Sequence, residues 1–346
     1  MASSHFYLTF GISTKPFSIF SWICFCEMKF YRFSSVINLF DTIDNATDYY
    51  YIDKYFEEKE YDFAVYPWDK DRIGIFSDVI FLRNILLFEP SVIVMILYSS
   101  RALGSPSIKT VKKVRDALNL NIISIWADTS KSFLSHNHHY FDEDVFTKHI
   151  CWDNPILDLD FESISEDEAK KLIPNTYIPE SEKIFHLDSF KDIDVVFMGQ
   201  ISSYRDERKE YIDLALGKLG SFQTYFSAAD RTNKINHDTY ASIMNRSKIG
   251  LNFSYGVNSH QLKGRSIHTM LSGALLLETK NPQIEALFED GKHFVSLESK
   301  EDMIEKIKYY LNKPKEREMI ANNGRRKVLS DYSSDNFWQI SQKEKS

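Results

Sequence analysis

Residues 260–294 read HQLKGRSIHTMLSGALLLETKNPQIEALFEDGKHF, and this order of parts leaves few folds open. A short helix stopped by glycine runs into an apolar strand and then a polar turn. The spacing predicts a helix from near Arg265 to Gly273, with Gly273 supplying the left-handed stop. Such a succession builds a parallel sheet, whose ligands sit beyond the carboxyl ends of the strands. Two basic residues, Lys263 and Arg265, and two histidines, His260 and His268, fall in the lead-in and first turn. A helix N-terminus itself favours an anion there. Arg265, His268, Thr269 and Ser272 lie at i, i+3, i+4 and i+7 and share one face. That polar face is expected to point outward, with Ile267, Met270, Leu271 and Ala274 packed on the sheet. An ordinary surface helix would carry the same charges, so the stretch alone leaves both readings open.

The first half of the chain alternates helix and strand. Tyr61–Trp68 (YDFAVYPW) reads as a short strand closed by Pro67, after a polar, Tyr-rich helical segment over 44–60. Asp78–Phe88 reads as a helix. Pro90–Ser100 is a β-branched run of the kind found in buried parallel strands. A helix over Ser107–Leu118 exposes Lys109, Lys112, Lys113 and Arg115. A strand from Asn121 then ends near Asp128–Ser130. This alternation predicts a doubly wound sheet. Asp128 stands at a strand end, either as an acceptor-side carboxylate or catalytic base, or as a helix N-cap or turn residue. Leu172–Phe185 (LIPNTYIPESEKIF) carries two prolines and reads as a connection between domains. The expected division is 1–178, 179–332 and a final helix over 333–346.

In the second half, Ile193–Gly199 reads as a strand whose Gly199 lets a ligand approach the backbone closely. Gln200 to Tyr204 then faces the cleft. Ser299 and Asp302 form a capping-box-like pair opening a helix with a Met303, Ile304, Ile307, Tyr310 and Leu311 stripe, ended by Pro314.

Charge and cysteine usage exclude several functions. The 346 residues carry 42 basic and 49 acidic side chains, a net charge of −7, which argues against nonspecific nucleic-acid binding. Any anion site must therefore be local. Three cysteines, Cys24, Cys26 and Cys151, make no disulfide framework and fit a reducing, cytoplasmic setting. No run approaches the roughly 18 apolar residues of a membrane span. The nearest, Phe17–Cys26, reads as a buried first strand, a peripheral membrane contact, or part of an extension upstream of a second start at Met28. His136–Val145 (HNHHYFDEDV) reads as a solvated loop or one closing over the cleft rather than a metal site.

Several motifs occur in the order found in one family. DVVFMGQ (Asp194–Gln200) precedes the Arg-led helix YRDERKEYIDLAL. SKIGLNFSYG (Ser247–Gly256) follows, then QLKGRSIHTMLSGALLLETKNPQIEALFEDGKH and a closing helix pair. Over about 140 residues (192–331) this resembles the C-terminal half of GT-B glycosyltransferases of group 1, related to CgeB-like spore-maturation proteins. The resemblance implies an α/β GT-B fold, two Rossmann-like domains facing a cleft, with a last helix that returns to the first domain. It implies a hexosyltransferase-like, metal-independent enzyme. This enzyme would move a sugar from a nucleotide-diphosphate donor to a glycan or other acceptor, with no bound cofactor.

Lys263 and Arg265 are expected to neutralise the leaving diphosphate, and Asp128 to act as the base. Gly199, Gln200, Tyr204, His260, His268, Glu278 and Asn281 are expected around the donor. Three departures stand out: His268 replaces the family Glu, Glu278-Thr279 reverses the family Thr-Glu, and His293 replaces the Glu after Gly-Lys. If His268 lies on the diphosphate, donor affinity should strengthen as pH falls through the imidazole range. The same departures motivate two alternatives, a non-catalytic nucleotide-sugar or glycan binder and a nucleotide-sugar epimerase.

Overall fold

The computed structural model describes residues 29–34, 54–67, 75–97, 106–126, 144–154, 157, 167, 170–174, 184–187, 189–199, 206–228, 235–253, 255–256, 259–260, 262 and 264–342. Two parallel sheets organise them. The first contains β1 (Lys29–Ser34), β2 (Asp62–Pro67), β3 (Val92–Leu97), β4 (Asn121–Trp126), β5 (Lys148–Cys151) and β6 (Leu172–Pro174). Their spatial order is β2-β1-β3-β4-β5-β6. Helices α1 (Lys54–Glu58), α2 (Ile75–Phe88) and α3 (Ile108–Leu118) connect them. The β-branched core strands are covered on both faces, as parallel sheets require. Phe81 and Ile85 of α2 and Val111 and Val114 of α3 pack on Ile93, Met95 and Ile122. The opposite face, with Val92, Val94, Ile123 and Ile125, packs on Phe56 of α1.

The second sheet contains β7 (Ile193–Gly199), β8 (Thr224–Ala228), β9 (Ser247–Asn252), β12 (Leu275–Thr279) and β13 (Val295–Leu297), in the order β13-β12-β9-β7-β8. Between β9 and β12 lies a small antiparallel ribbon of β10 (Tyr255–Gly256) and β11 (Ser259–His260). Its helices are α4 (Asp206–Lys218), α5 (His237–Asn245), α6 (Gly264–Leu271), α7 (Pro282–Glu285), α8 (Lys300–Asn312) and α9 (Pro314–Asp331). Along β7, Val195 and Phe197 face α4 and α8, whereas Val196 and Met198 face α5 and α6. That is the period-two alternation of a strand buried on both sides. Ser299 accepts from the Asp302 N–H at 3.1 Å and starts α8. Pro314 opens α9, which breaks the helical run one residue after α8 ends at Asn312.

The architecture corrects one expectation. Leu172–Pro174, read as part of a connection, is the edge strand β6, pairing with β5. Three residues are too few to show a period, and proline is tolerated on an edge strand. Within the helical reading of 44–60, residues 54–58 form α1 and 44–53 lie outside the described residues. The Phe17–Cys26 run lies outside them, and the first described strand is β1. Strands β5, β8 and β13 and helix α5 carry no pattern strong enough to be read beforehand. No helix among the described residues is long and apolar enough to cross a membrane.

The last helix, α10 (Ser334–Gln342), leaves the second sheet and covers the first. Phe337 and Trp338 are buried with Phe56, Val94 and Ile125. The Trp338 ring lies 4.9 Å from Phe56 and stacks 6.0 Å from Tyr55. Asp335 receives the Tyr55 hydroxyl and the Lys59 ammonium, each at 2.7 Å. We predict that Trp338→Ala destabilises the protein by about 3–5 kcal/mol, the cost of a large core truncation. Denaturant titration measures it, and a loss under about 1 kcal/mol would remove α10 from the core of the first domain.

Candidate functional site

The carboxyl ends of β7, β9 and β12 meet the start of α6, and polar side chains fill the junction. Arg265, in the first turn of α6, reaches back over β7. Its Nε donates to the Met198 carbonyl at 2.6 Å and one Nη donates to Asn252 Oδ1 at 2.5 Å. The guanidinium stands 4.6 Å from the centre of the Phe197 ring, a cation–π distance. A Cβ on Gly199 would lie 2.2 Å from an Arg265 Nη. Glycine at this strand end therefore admits the guanidinium, where the sequence suggested it would admit a ligand.

Asn252 is itself fixed from behind. Its Nδ2 donates to Ser266 Oγ at 2.7 Å and to Glu278 Oε1 at 2.9 Å, and Ser266 Oγ donates to Glu278 Oε2 at 2.7 Å. Asn252, Ser266 and Glu278 are fully buried. The carboxylate accepts only, so the Asn252 amide must turn its nitrogen towards it and its oxygen towards Arg265. Glu278, expected on the donor, is thus enclosed within the protein. Asn281, also expected there, is buried as the N-cap of α7, its Oδ1 accepting from the Gln283 N–H at 2.9 Å. An amide one residue before a helix-opening proline suits that role. Neither Asn252 nor Ser266 was singled out in the sequence. The signal was present in SKIGLN, a polar residue ending an otherwise apolar strand.

Helix α6 has its predicted limits, with Gly273 at φ 67° after its last turn, but not its predicted orientation. Thr269 faces the sheet, and its Cγ2 lies 2.5 Å from where a Gly250 Cβ would be. Met270, expected on the sheet, abuts Gly324 of α9 at 3.3 Å by the same measure. The missing side chain at Gly250 admits the threonine, and α9 covers Met270 on the side assumed to lie against the sheet. Ser266 through Leu271 are consequently all buried. Lys191 closes the far end of α6 by donating to the Ser272 carbonyl at 2.6 Å. Burial and the nearby Arg317 and Arg325 guanidinium groups push its pKa down to about 8.

His268 is 3% exposed. It stacks on Phe185 at 4.7 Å and 10°, and its Nδ1 lies 3.0 Å from the Tyr240 hydroxyl. Burial first, then the charges of His237 and Arg265, hold its pKa well below 6.5. The expectation that His268 gains charge on a donor phosphate near neutral pH is therefore corrected, since an imidazole enclosed by rings stays neutral there. His293 is a turn residue whose Nδ1 accepts from the Glu289 N–H at 3.0 Å. His260 pairs with Tyr255 across the β10–β11 ribbon. Lys263, Gln200, Tyr204 and Asp128 lie outside the described residues, as does the stretch 136–143. No metal-binding cluster occurs among the described residues.

The first domain reaches this junction through the segment after β5. The buried Asp153 accepts the Leu262 N–H at 2.8 Å, just before α6. Asn154 and Gln283 exchange two hydrogen bonds, at 2.8 and 2.9 Å. A separate groove of about 670 Å³, lined by Gln223, Tyr225, Asp238, Thr239 and Arg246, opens at the starts of β7 and β8. It lies at the opposite strand ends from Arg265 and takes no part in the junction.

Residues 186–340 match the model of a family described as glycosyl transferase-like. This C-terminal region is a GT-B-fold glycosyltransferase-like domain. No curated protein matches the chain in sequence. Among solved structures, Anabaena HepE in complex with UDP-glucose is similar, with 9% identity and a TM-score of 0.57, covering 91% of this chain and 98% of that one. A glycosyltransferase from Rickettsia africae ESF-5 has 9% identity and a TM-score of 0.58, covering 92% and 97%. Sucrose-phosphate synthase from Thermosynechococcus elongatus has 10% identity and a TM-score of 0.55, covering 91% and 98%. The likeness is one of fold, and the chain has the two-domain GT-B architecture.

The burial of His268 generates a prediction. Its pKa is depressed in the folded state, so the unfolded chain binds the extra proton on acidification. Stability is then complete above the unfolded value of about 6.5 and is lost as pH falls below it towards the depressed folded pKa. Thermal melts should drop on acidification from pH ~7 to ~5, and His268→Gln should flatten that slope. Equal slopes in the two proteins would show that His268 is not a buried neutral group.

Proposed function

We propose that this protein transfers a sugar from a nucleotide-diphosphate donor to an acceptor hydroxyl, with Arg265 holding the diphosphate. The observation that carries the reading is a guanidinium fixed over the carboxyl ends of β7 and β9 at the start of a helix. Parallel sheets bind ligands at those ends, and a helix start adds positive potential. The family of residues 186–340 and the UDP-glucose carried by Anabaena HepE support the donor class.

In the proposed reaction the bond from the anomeric carbon to a diphosphate oxygen breaks with its electron pair leaving on the phosphate. The acceptor hydroxyl oxygen forms the new bond to that carbon, and its proton passes to a base, for which Asp128 is the candidate. Negative charge grows on the diphosphate, so fixed positive charge accelerates the step more than a strong acid would. Arg265 and Lys263 supply that charge, and the reading requires no metal. Gly199, Gln200, Tyr204 and His260 are assigned to the donor, Gly199 standing at the end of β7 beside the Arg265 guanidinium. His268, Glu278 and Asn281 support the site from within. A second reading, a binder that retains the fold without turnover, draws on that burial, since three groups expected on the donor are enclosed.

Three measurements test these readings. In a thermal-shift screen of UDP, GDP, ADP, TDP and CMP sugars, the true donor at a hundredfold excess over its Kd should stabilise by about 2.7 kcal/mol. Arg265→Ala should weaken its binding by roughly 1.5–3 kcal/mol, the scale of a charged hydrogen bond, with Arg265→Lys recovering part of it. Unchanged affinity in Arg265→Ala would remove the diphosphate from this residue. Sugar transfer or donor hydrolysis separates the enzyme from the binder, and an isomerised donor recovered without acceptor would indicate an epimerase.

A further inference from the structure

Helix α2 is apolar on both sides. Its inner side, with Phe81 and Ile85, is buried on the first sheet. Its outer side carries Val79, Leu82, Leu86 and Leu87, exposed by 56%, 38%, 65% and 71%. These positions repeat at i, i+3, i+7 and i+8 and make one continuous ridge. Soluble domains seldom leave such a ridge in water, and where they do it marks a contact surface.

The neighbouring helix identifies the partner. The first turns of α2 and α3 are tied together, because Asp78 accepts the Ser107 N–H at 2.5 Å, the Ser107 hydroxyl at 2.8 Å and the Thr110 hydroxyl at 2.7 Å. The two helices lie side by side on the same sheet face. Lys109 and Lys113 of α3 are exposed and Lys112 is half-buried, while Arg83 stands within the α2 ridge. Residues 75–118 hold six basic and three acidic side chains, against a whole-chain charge of −7. Two of those acids are engaged locally, Asp78 on the cap of α3 and Asp116 with Arg115 at 2.6 Å. The surface therefore joins leucines to cations on a chain that is otherwise acidic.

We infer that the α2–α3 face seats on a membrane surface bearing anionic headgroups. The leucine ridge enters the boundary between headgroups and acyl chains, and the lysines meet the phosphates from alongside, their stems lying on the apolar layer. Anionic lipid answers these cations. A second copy of this chain does not, because a two-fold contact through α2 would bring both copies' Arg83 and α3 lysines to one interface. The inference is independent of the proposed reaction, since none of these residues belongs to the Arg265 junction.

Vesicle co-sedimentation tests it with the full chain. The protein should bind vesicles of equal parts phosphatidylglycerol and phosphatidylcholine, bind phosphatidylcholine alone weakly, and be released by salt. The pair Leu82→Ser and Leu86→Ser should reduce partitioning about tenfold or more, and so should the pair Lys109→Glu and Lys113→Glu. All four positions are exposed or on the outer ridge, so melting temperatures should stay close to wild type. The lysine pair serves as the second test if the leucine pair misfolds. Failure of the wild type to bind, or binding that survives both pairs, overturns the inference. A concentration-dependent dimer in sedimentation equilibrium that the leucine pair abolishes also overturns it, assigning the ridge to a second copy.

Discussion

The carboxylate of Glu278 has no solvent contact, and the edge of the second domain at the carboxyl ends of its strands is arranged around it. A buried charge is costly unless hydrogen bonds and an opposite charge answer it. Among the described residues the Asn252 amide and the Ser266 hydroxyl donate to it. The opposite charge lies one amide away, on Arg265. Because the carboxylate only accepts, it fixes which end of Asn252 faces outward, and that end then fixes the guanidinium. The close approach of Arg265 to β7 in turn demands glycine at 199. One acidic side chain thus ties together the ends of β7, β9 and β12 and the first turn of α6. Because half-satisfied polar networks are unstable, the four groups stand or fall together.

The two domains are joined by contacts of different kinds at distant places. Near α6 the joint is polar and directional: Asp153 holds the Leu262 N–H, and the Asn154 backbone pairs with the Gln283 amide. On the back of the first sheet it is apolar, with Phe337 and Trp338 completing a core begun by Phe56. Directional bonds fix where the β5 segment stands relative to α6. The buried rings keep the end of the chain on the first domain whatever happens at the polar joint. Interdomain contacts within a chain commonly permit relative motion, and the bonds of Asp153 and Gln283 are among those an opening or closing of the domains would have to exchange.

Much of the fold was legible because parallel sheets leave strong marks. The run 90–100 showed β3 through its β-branched residues, Ser299 showed a helix start through capping chemistry, and Gly273 showed a stop because glycine tolerates a left-handed φ. The resemblance over 192–331 supplied the second domain and the return of the last helix. Short edge elements such as β6 and β13 were not legible, since three residues carry no period. The orientation of α6 was not legible either. Helical spacing shows which residues share a face, but not which face is covered, and α6 is covered on both. Arg265 was legible as a cation at a helix start. Its holders Asn252, Glu278 and Gly199 come from separate strands, and one sequence does not reveal which strand ends adjoin.

The reversed pair at the end of β12 has a structural meaning that follows from strand alternation. Leu275 and Leu277 pack on one side of the second sheet and Leu276 on the other, towards α6. Glu278 shares the side of Leu276, which is why it meets Ser266 of that helix. Position 279 projects to the opposite side, because successive side chains alternate across a strand. In the resembled family the order is Thr-Glu, which would put the carboxylate at 279 and a hydroxyl where Glu278 stands. A threonine there could not carry the charge that balances Arg265, and its single oxygen could not offer Asn252 and Ser266 separate acceptors as the two carboxylate oxygens do. The exchange of two neighbours therefore moves a negative charge from one face of the sheet to the other. In this chain that charge lies beneath Arg265, where it organises the guanidinium from inside the protein.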